Sequence, residues 1–295
     1  VHHLIRGIQR GRNVLMVGPT GTGKTLCWRE AVHFLGLPHE NIDGKEGLLD
    51  LDFVGAIVPT EDGRKVWVDG PLTRAMRRAA GERVVLWIDE LACIPQKHLN
   101  LLKGLLNPRS ERELRLQGIK IEGRSALDQY YLLELPMTSK RVTCPAENLQ
   151  IVAACNLGRD YAVYGLDAAL TRRFEIQLDF DFLPAQQEAA VLVARTGIEE
   201  GVAHVMAQVA ARTRELYATA ELPAPLDTAS LLVWAEEVAA RWERPTLAQL
   251  IAAARITWLA RVAGRDHRGR INDGNAMAVE DVIRDIWAAH MPEGR

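Results

Sequence analysis

The stretch Gly18-Pro19-Thr20-Gly21-Thr22-Gly23-Lys24-Thr25 restricts what this chain can fold into more than any other feature of its 295 residues. It has the spacing G-x-x-x-x-G-K-[ST], follows an apolar run at Val14 to Val17, and opens a helical pattern from Thr25 to Leu35. A strand that hands over to a helix through such a loop is the context in which the spacing has physical meaning. Glycines let the loop turn its backbone N–H groups inward around phosphate oxygens, and the helix N-terminus adds positive potential. Lys24 then reaches the terminal phosphates and the Thr25 hydroxyl binds Mg²⁺. Lysine is scarce, seven residues against 29 arginines, so Lys24 is no by-product of composition. A plain glycine turn before a helix is the competing reading.

Two further apolar runs end in polar groups. Val84 to Ile88 reads as a buried strand followed by Asp89-Glu90. An apolar parallel sheet tolerates a carboxylate pair at its C-terminal edge, where ligands collect. Asp89 is expected to hold the Mg²⁺ through water, and Glu90 to act as general base on the attacking water. Leu149 to Cys155 is a third strand pattern, ending in Asn156. An amide there can donate to a phosphate oxygen and accept from a water, although Asn after a strand is also a common turn former.

Around these runs, strand and helix patterns alternate from residue 13 to about 183, as in a parallel sheet flanked by helices. Phe174, Ile176, Leu178, Phe180 and Phe182 alternate with charged or polar residues, the period of a half-buried strand near a sheet edge. From residue 184 the chain is alanine-rich, with apolar positions at helical spacing, as in Leu231, Trp234, Ala235, Val238 and Trp242. We therefore expect an α/β domain over 1–183 and an all-helical domain over 184–295. Pro245 is expected to start a helix, and Gly264 to Gly274 to form a charged loop. Two stretches read as inserted hairpins, at about 52–69 and 110–148. In the second, Leu114, Leu116, Ile119 and Ile121 alternate like a strand, and Tyr130 and Tyr131 are placed near the tip, either packed in the hairpin or free to touch a client.

A net charge of −2 provides no basic field for a nucleic-acid backbone, leaving only local arginine clusters for that role. Apolar runs of about five residues fall far short of the roughly 20 that span a bilayer, so the expected location is the cytoplasm, without membrane association. Cys27, Cys93, Cys144 and Cys155 form no C-x-x-C pair, which suggests reduced thiols and neither disulfides nor zinc. The eight histidines form no ligand set and nothing marks a nucleophile, so phosphoryl transfer to water is the one chemistry these residues specify.

The three motifs in this order, followed by Leu166-Asp-Ala-Ala-Leu170-Thr-Arg172-Arg173-Phe174 and a helical domain, resemble an AAA+ ATPase over nearly the whole chain. The insertion ending Val66-Trp67-Val68-Asp69-Gly70-Pro71-Leu72 is similar to the MoxR-like branch, which carries an insert in its second helix. Asn156-Leu-Gly and Tyr164-Gly165 look most like the CbbQ/NirQ/NorQ group. The resemblance implies the fold of a P-loop NTPase core with a helical lid, and ATP as the nucleotide. It also implies Asn156 as a sensor of the terminal phosphate and assembly into a ring, usually a hexamer, in which an arginine of one subunit completes its neighbour's site. Arg173 matches that position, with Arg172 as understudy. A helix-capping pair is the competing reading for these arginines. Members of the branch commonly work with a partner bearing a von Willebrand factor A domain to remodel or activate a protein client.

One departure stands out. The family's lid often supplies a further arginine where Leu226-Asp-Thr-Ala229 places an alanine, and Arg241 and Arg244 lie too far along to replace it. Arg74 and Arg141 are candidates to act from a neighbouring subunit. Two alternatives to a protein-remodelling ATPase stay open. One is a nucleic-acid motor or restriction-type NTPase using Arg74, Arg77, Arg78 and the stretch Arg261 to Arg270. The other is a slow nucleotide-gated scaffold.

Overall fold

Burial on both faces is what central strands of a helix-covered parallel sheet require. Val14–Gly18 is buried throughout, and Val84–Asp89 and Leu149–Asn156 at every position but the last. The computed structural model describes residues 1–121, 128–136, 138, 140–156 and 166–291. The chain runs through α1 (His2–Gln9), β1 (Val14–Gly18), α2 (Lys24–Leu35), β2 (His39–Asp43), α3 (Asp50–Val54), β3 (Gly55–Pro59), β4 (Lys65–Asp69), α4 (Pro71–Ala79) and β5 (Val84–Asp89). It continues through α5 (Gln96–Leu105), β6 (Arg109–Ser110), α6 (Glu111–Leu116), β7 (Gln129–Glu134), β8 (Arg141–Pro145), β9 (Leu149–Asn156), α7 (Ala168–Thr171) and β10 (Ile176–Asp179).

The main sheet has the order β10-β1-β9-β5-β2, and every pairing in it is parallel. Gly18 lies opposite Asn156 and Asp43 opposite Asp89, so the polar strand ends finish at one edge of the sheet. Side chains alternate between two cores, as the two-residue period of a strand dictates. Leu15, Leu86, Ile88 and Ile151 join Phe53, Leu72, Met76 and Leu99 on one face. Met16, Val85, Trp87 and Val152 join Leu4, Ile8, Trp28 and Ala31 on the other. Trp28 and Trp87 stack there with centroids 5.0 Å apart and planes 4° from parallel.

The alternating strand at Ile176–Asp179 is an edge, as its half-polar pattern requires, and it is shorter than the apolar alternation from Phe174 to Phe182. The opposite edge, β2, has a single buried residue, Ile42, and no apolar period that would mark it as a strand. The first insertion forms its own antiparallel sheet, with Ile57 opposite Trp67. Asp69 fixes its base, accepting hydrogen bonds from the Trp67 indole and from Arg77, each at 2.6 Å.

The second insertion is more than a hairpin. Its strands form an antiparallel sheet in the order β6-β7-β8, and Leu114 and Leu116 lie on a helix rather than a strand. Ser110 and Glu113 make a reciprocal capping box at its start, and that local signal outweighs the apolar alternation. Tyr130 and Tyr131 are buried in β7, which removes them as client contacts. Tyr131 packs into the main core, and Asn13 donates a 3.3 Å hydrogen bond to its hydroxyl, tying the insertion to the entry of β1.

Contacts divide the chain into two compact units, Val1–Gly18 with Lys24–Phe180, and Pro19–Gly23 with the chain from Asp181 onward. The second is built from α8 (Ala185–Thr196), α9 (Glu200–Ala218), α10 (Thr228–Arg241), α11 (Leu247–Thr257), α12 (Leu259–Ala263) and α13 (Asp273–His290) around fully buried Trp234. Helix α11 begins two residues after Pro245, because Thr246 caps it through a box with Gln249. The loop after α12 is pinned by a bridge between Arg265 and Ile271. Among the described residues no helix is long and apolar enough to cross a membrane.

Glu188 has no exposed surface, and Arg214 grips it with two nitrogens at 2.7 and 2.9 Å. The Thr228 hydroxyl donates to the same carboxylate, and the Arg214 guanidinium lies 3.9 Å over the Phe182 ring. Removing one partner strands the other charge away from water. Glu188→Ala is therefore expected to cost about 3–5 kcal/mol, read as a fall in the urea midpoint, with Glu188→Gln milder.

Candidate functional site

At the end of β1 the loop glycines adopt left-handed backbone, as at Gly23 with φ +88°, a conformation from which anion-binding backbone nests are built. Within the loop, Thr22 donates its hydroxyl proton to the Pro19 carbonyl at 2.8 Å. Lys24 opens α2 and is only 6% exposed, and its ammonium donates to the Gly18 carbonyl at 2.9 Å. Burial lowers the lysine's pKa below the ordinary value, with Asp89 and then Cys155 opposing the shift. An ammonium of depressed pKa loses its proton earlier as pH rises, and a bound phosphate restores it. Affinity for a phosphate-bearing ligand should accordingly weaken at a lower pH than an ordinary lysine would dictate, and binding should take up a proton there. Calorimetry in buffers of different ionisation heats tests this, and a pH-independent affinity up to the ordinary lysine range would refute it.

The Thr25 hydroxyl donates to an Asp89 carboxylate oxygen at 3.4 Å, bringing two hard oxygen donors together across α2 and β5. Mg²⁺ takes such donors, usually one or two from protein with the rest from substrate phosphates and water, so the residues present fit that ion. Among the described residues no group of three or more His, Cys, Asp or Glu side chains could hold a metal alone.

Glu90 follows in a left-handed conformation, φ +47° and ψ +44°, which is costly for a residue with a side chain. Three contacts hold the turn. The Glu90 N–H donates to the Asp89 side chain at 3.0 Å, Cys93 N–H donates to the Glu90 carbonyl at 2.8 Å, and Gly44 N–H donates to the Asp89 carbonyl at 2.9 Å. A Cβ at Gly44 would stand 2.3 Å from the Glu90 carbonyl oxygen, so this glycine serves close approach. Neither Gly44 nor Cys93 carries a motif that points to it. Burial, then the Glu90 charge and a hydrogen bond to its side chain, push the Cys93 thiol up, whereas burial alone pushes Cys144 up to about 12. Asn156, partly exposed at the end of β9, is level with Gly18 across β1.

Arg172 and Arg173 form the turn after α7, and neither joins the cluster of Lys24, Thr25, Asp89 and Glu90. Arg172 is exposed, and Arg173 is half-buried with its Nη1 donating to Asn107 at 2.7 Å. Residues 157–165, which include the Leu-Gly and Tyr164-Gly165 segments, lie outside the described residues. Ala229 is the second residue of α10, and a guanidinium reaches that turn from elsewhere. Arg261 of α12 pairs with Asp227 at 2.7 Å and donates to Ser230. Arg74, Arg141 and Arg241 are paired with Glu40, Glu134 and Glu237.

The model of the AAA domain (dynein-related subfamily) matches residues 13–174, more than half of the chain. The denitrification regulatory protein NirQ of Pseudomonas aeruginosa is 29% identical over 72% of this chain and 70% of its own length. NirQ of Stutzerimonas stutzeri and NorQ of Paracoccus denitrificans are each 25% identical, over 70% and 69% of this chain. The chain spans about two thirds of the length of those two relatives, 66% and 65%. A glycine loop, an acidic strand end and a polar third strand on one parallel edge are thus joined by likeness over the same residues, and the chain belongs to the dynein-related subfamily of AAA domains, among the MoxR-like AAA+ ATPases of the NirQ and NorQ group.

Proposed function

We propose that this AAA+ protein binds Mg-ATP and hydrolyses it to ADP and phosphate, using the cycle to remodel or activate a protein client. The single observation that carries the hydrolytic reading is the gathering, at one edge of the parallel sheet, of Lys24 and Thr25 at the start of α2 with Asp89 at the end of β5, Glu90 following directly in the chain. Gly18 to Gly23 cradle the phosphates with backbone N–H groups, and Lys24 neutralises the terminal ones. Mg²⁺ would supply charge neutralisation during phosphoryl transfer. Thr25 and Asp89 hold it. Glu90 takes the proton of the attacking water, Asn156 orients that water or the terminal phosphate, and Arg173 of an adjacent subunit meets the charge developing on the transferred group, with Arg172 beside it.

A homohexameric ring, a partner with a von Willebrand factor A domain and a cytoplasmic location belong to the same proposal. Their support is the family likeness and the similarity to NirQ and NorQ. The nucleic-acid alternative loses much of its footing, because Arg74, Arg77 and Arg78 are engaged by Glu40, Asp69 and Glu82. Arg261 and Arg270 are engaged by Asp227 and Asp266.

The test is affinity capture from the host lysate with Glu90→Gln protein held in ATP, with and without nuclease. A von Willebrand A-type protein retained regardless of nuclease supports the proposal. Retention that vanishes with nuclease transfers the reading to nucleic acid.

A further inference from the structure

The turn that carries Arg173 is fastened to one helix at two points. Lys103 of α5 donates to Asp167 at 2.6 Å, and Asp167 in turn caps α7 by accepting from the Ala169 N–H at 2.8 Å. The Lys103 hydrogen bond is the largest cause holding the Asp167 carboxyl below its ordinary range, so this fastening persists well into mild acid. Four residues further along, just past the end of α5, the Asn107 side-chain oxygen accepts from Arg173 Nη1 at 2.7 Å. Arginine has five donors in a planar fork, so one contact fixes the plane while leaving the others for an anion. A long side chain that must meet a phosphoryl group at one instant benefits from being oriented beforehand, because the ordering entropy is then already lost.

The other end of α5 follows Glu90 in the chain. A short turn, Leu91–Cys93, then Ile94 and Pro95, leads from the carboxylate into Gln96, the first residue of the helix. Ten helical residues span about 15 Å, so α5 is a short rod with the subunit's own Glu90 at one end and its Arg173 at the other.

We propose that Asn107 is a positioning residue for Arg173, presenting the guanidinium to the nucleotide of the adjacent subunit, with the Lys103–Asp167 pair fixing the turn on which it stands. The inference rests on the reading that Arg173 acts in trans. Asn107 touches no nucleotide. Its effect passes through the arginine.

The experiment measures ATPase and nucleotide affinity of full-length Asn107→Ala, Arg173→Ala and the double variant, with thermal midpoints as a folding control. Asn107→Ala should lower kcat by about tenfold to a hundredfold, the worth of a hydrogen bond to a charged group, and leave affinity and the midpoint unchanged. In the Arg173→Ala background it should have no further effect. Mixing Asn107→Ala subunits with Lys24→Ala subunits should restore turnover, since the Lys24→Ala subunit lends an oriented arginine to a neighbour with an intact loop. A full kcat in Asn107→Ala, an additive loss in the double variant, or no rescue on mixing overturns the role of Asn107. Full activity in Arg173→Ala overturns the underlying reading instead, so the two failures are distinguishable. Asn107→Asp, which keeps the acceptor and adds charge, should retain more activity than Asn107→Ala; equal loss in both again counts against the positioning role.

Discussion

Glu90→Gln should bind ATP as the native protein does and turn it over about 10²- to 10⁴-fold more slowly, the usual worth of a general base. The amide has the shape of the carboxylate and can still accept from a water, yet it cannot take the water's proton. Affinity is expected to survive because Lys24, Thr25 and Asp89 are untouched, and Thr25 meets Asp89 rather than Glu90. The left-handed backbone at Glu90 is held by Gly44, Cys93 and Asp89, none of which depends on the carboxylate. Single-turnover hydrolysis separates the outcomes. Unchanged turnover would remove Glu90 from the mechanism and favour the slow scaffold, whereas lost binding would mean that the carboxylate shapes the loop rather than the chemistry.

Arg173→Ala should lower steady-state ATPase by about 10³-fold or more, since an arginine supplied in trans to a phosphoryl group carries effects of that order. Nucleotide affinity of the isolated subunit should not change, because Arg173 is fastened to Asn107 and not to the Lys24 cluster. Mixed with Lys24→Ala protein under subunit exchange, it should recover turnover, because each variant supplies what the other lacks. If mixing restores nothing, the trans assignment fails. Arg172, exposed beside it, provides the comparison: Arg172→Ala should have the smaller effect, and a reversal would exchange their roles.

The nucleotide-binding half was legible where a local pattern and a strong physical demand coincide. Val14 to Thr25 shows a strand, a glycine loop and a helix in register with one another, and the runs ending in Asp89 and Asn156 are apolar enough to be read as central strands without help. The strand at His39–Asp43 had no such pattern, since pairing with β5 along an exposed edge needs little burial of its own. Leu114 misled because four apolar residues alternate around it, and the Ser110–Glu113 capping box just ahead decides the conformation instead. Tyr130 and Tyr131 sit on opposite faces of one strand and so serve two different cores, an outcome set by pairing with β8 and invisible in the residues alone. At the candidate site, Lys24, Thr25, Asp89 and Glu90 follow motifs, whereas Gly44, Cys93, Asn107 and Lys103 contact the Asp89–Glu90 turn or the Arg173 segment from outside any motif. Long-range contact of this kind leaves no periodic trace. The arginine clusters were the reverse case, conspicuous in sequence yet paired with carboxylates, some close by as Glu82 is to Arg78 and others far along the chain, as Glu40 is for Arg74.

The stacked indoles behind the loop have an optical meaning. Trp28 stands one helical turn beyond Lys24 on the same side of α2, and Trp87 stands two residues before Asp89 on the same side of β5. Parallel aromatic rings 5.0 Å apart share their electronic transitions, and that sharing is acutely sensitive to offset and tilt. Any slide of α2 against β5 would therefore alter near-ultraviolet circular dichroism and tryptophan emission, giving this AAA+ protein an intrinsic chromophore at its glycine loop.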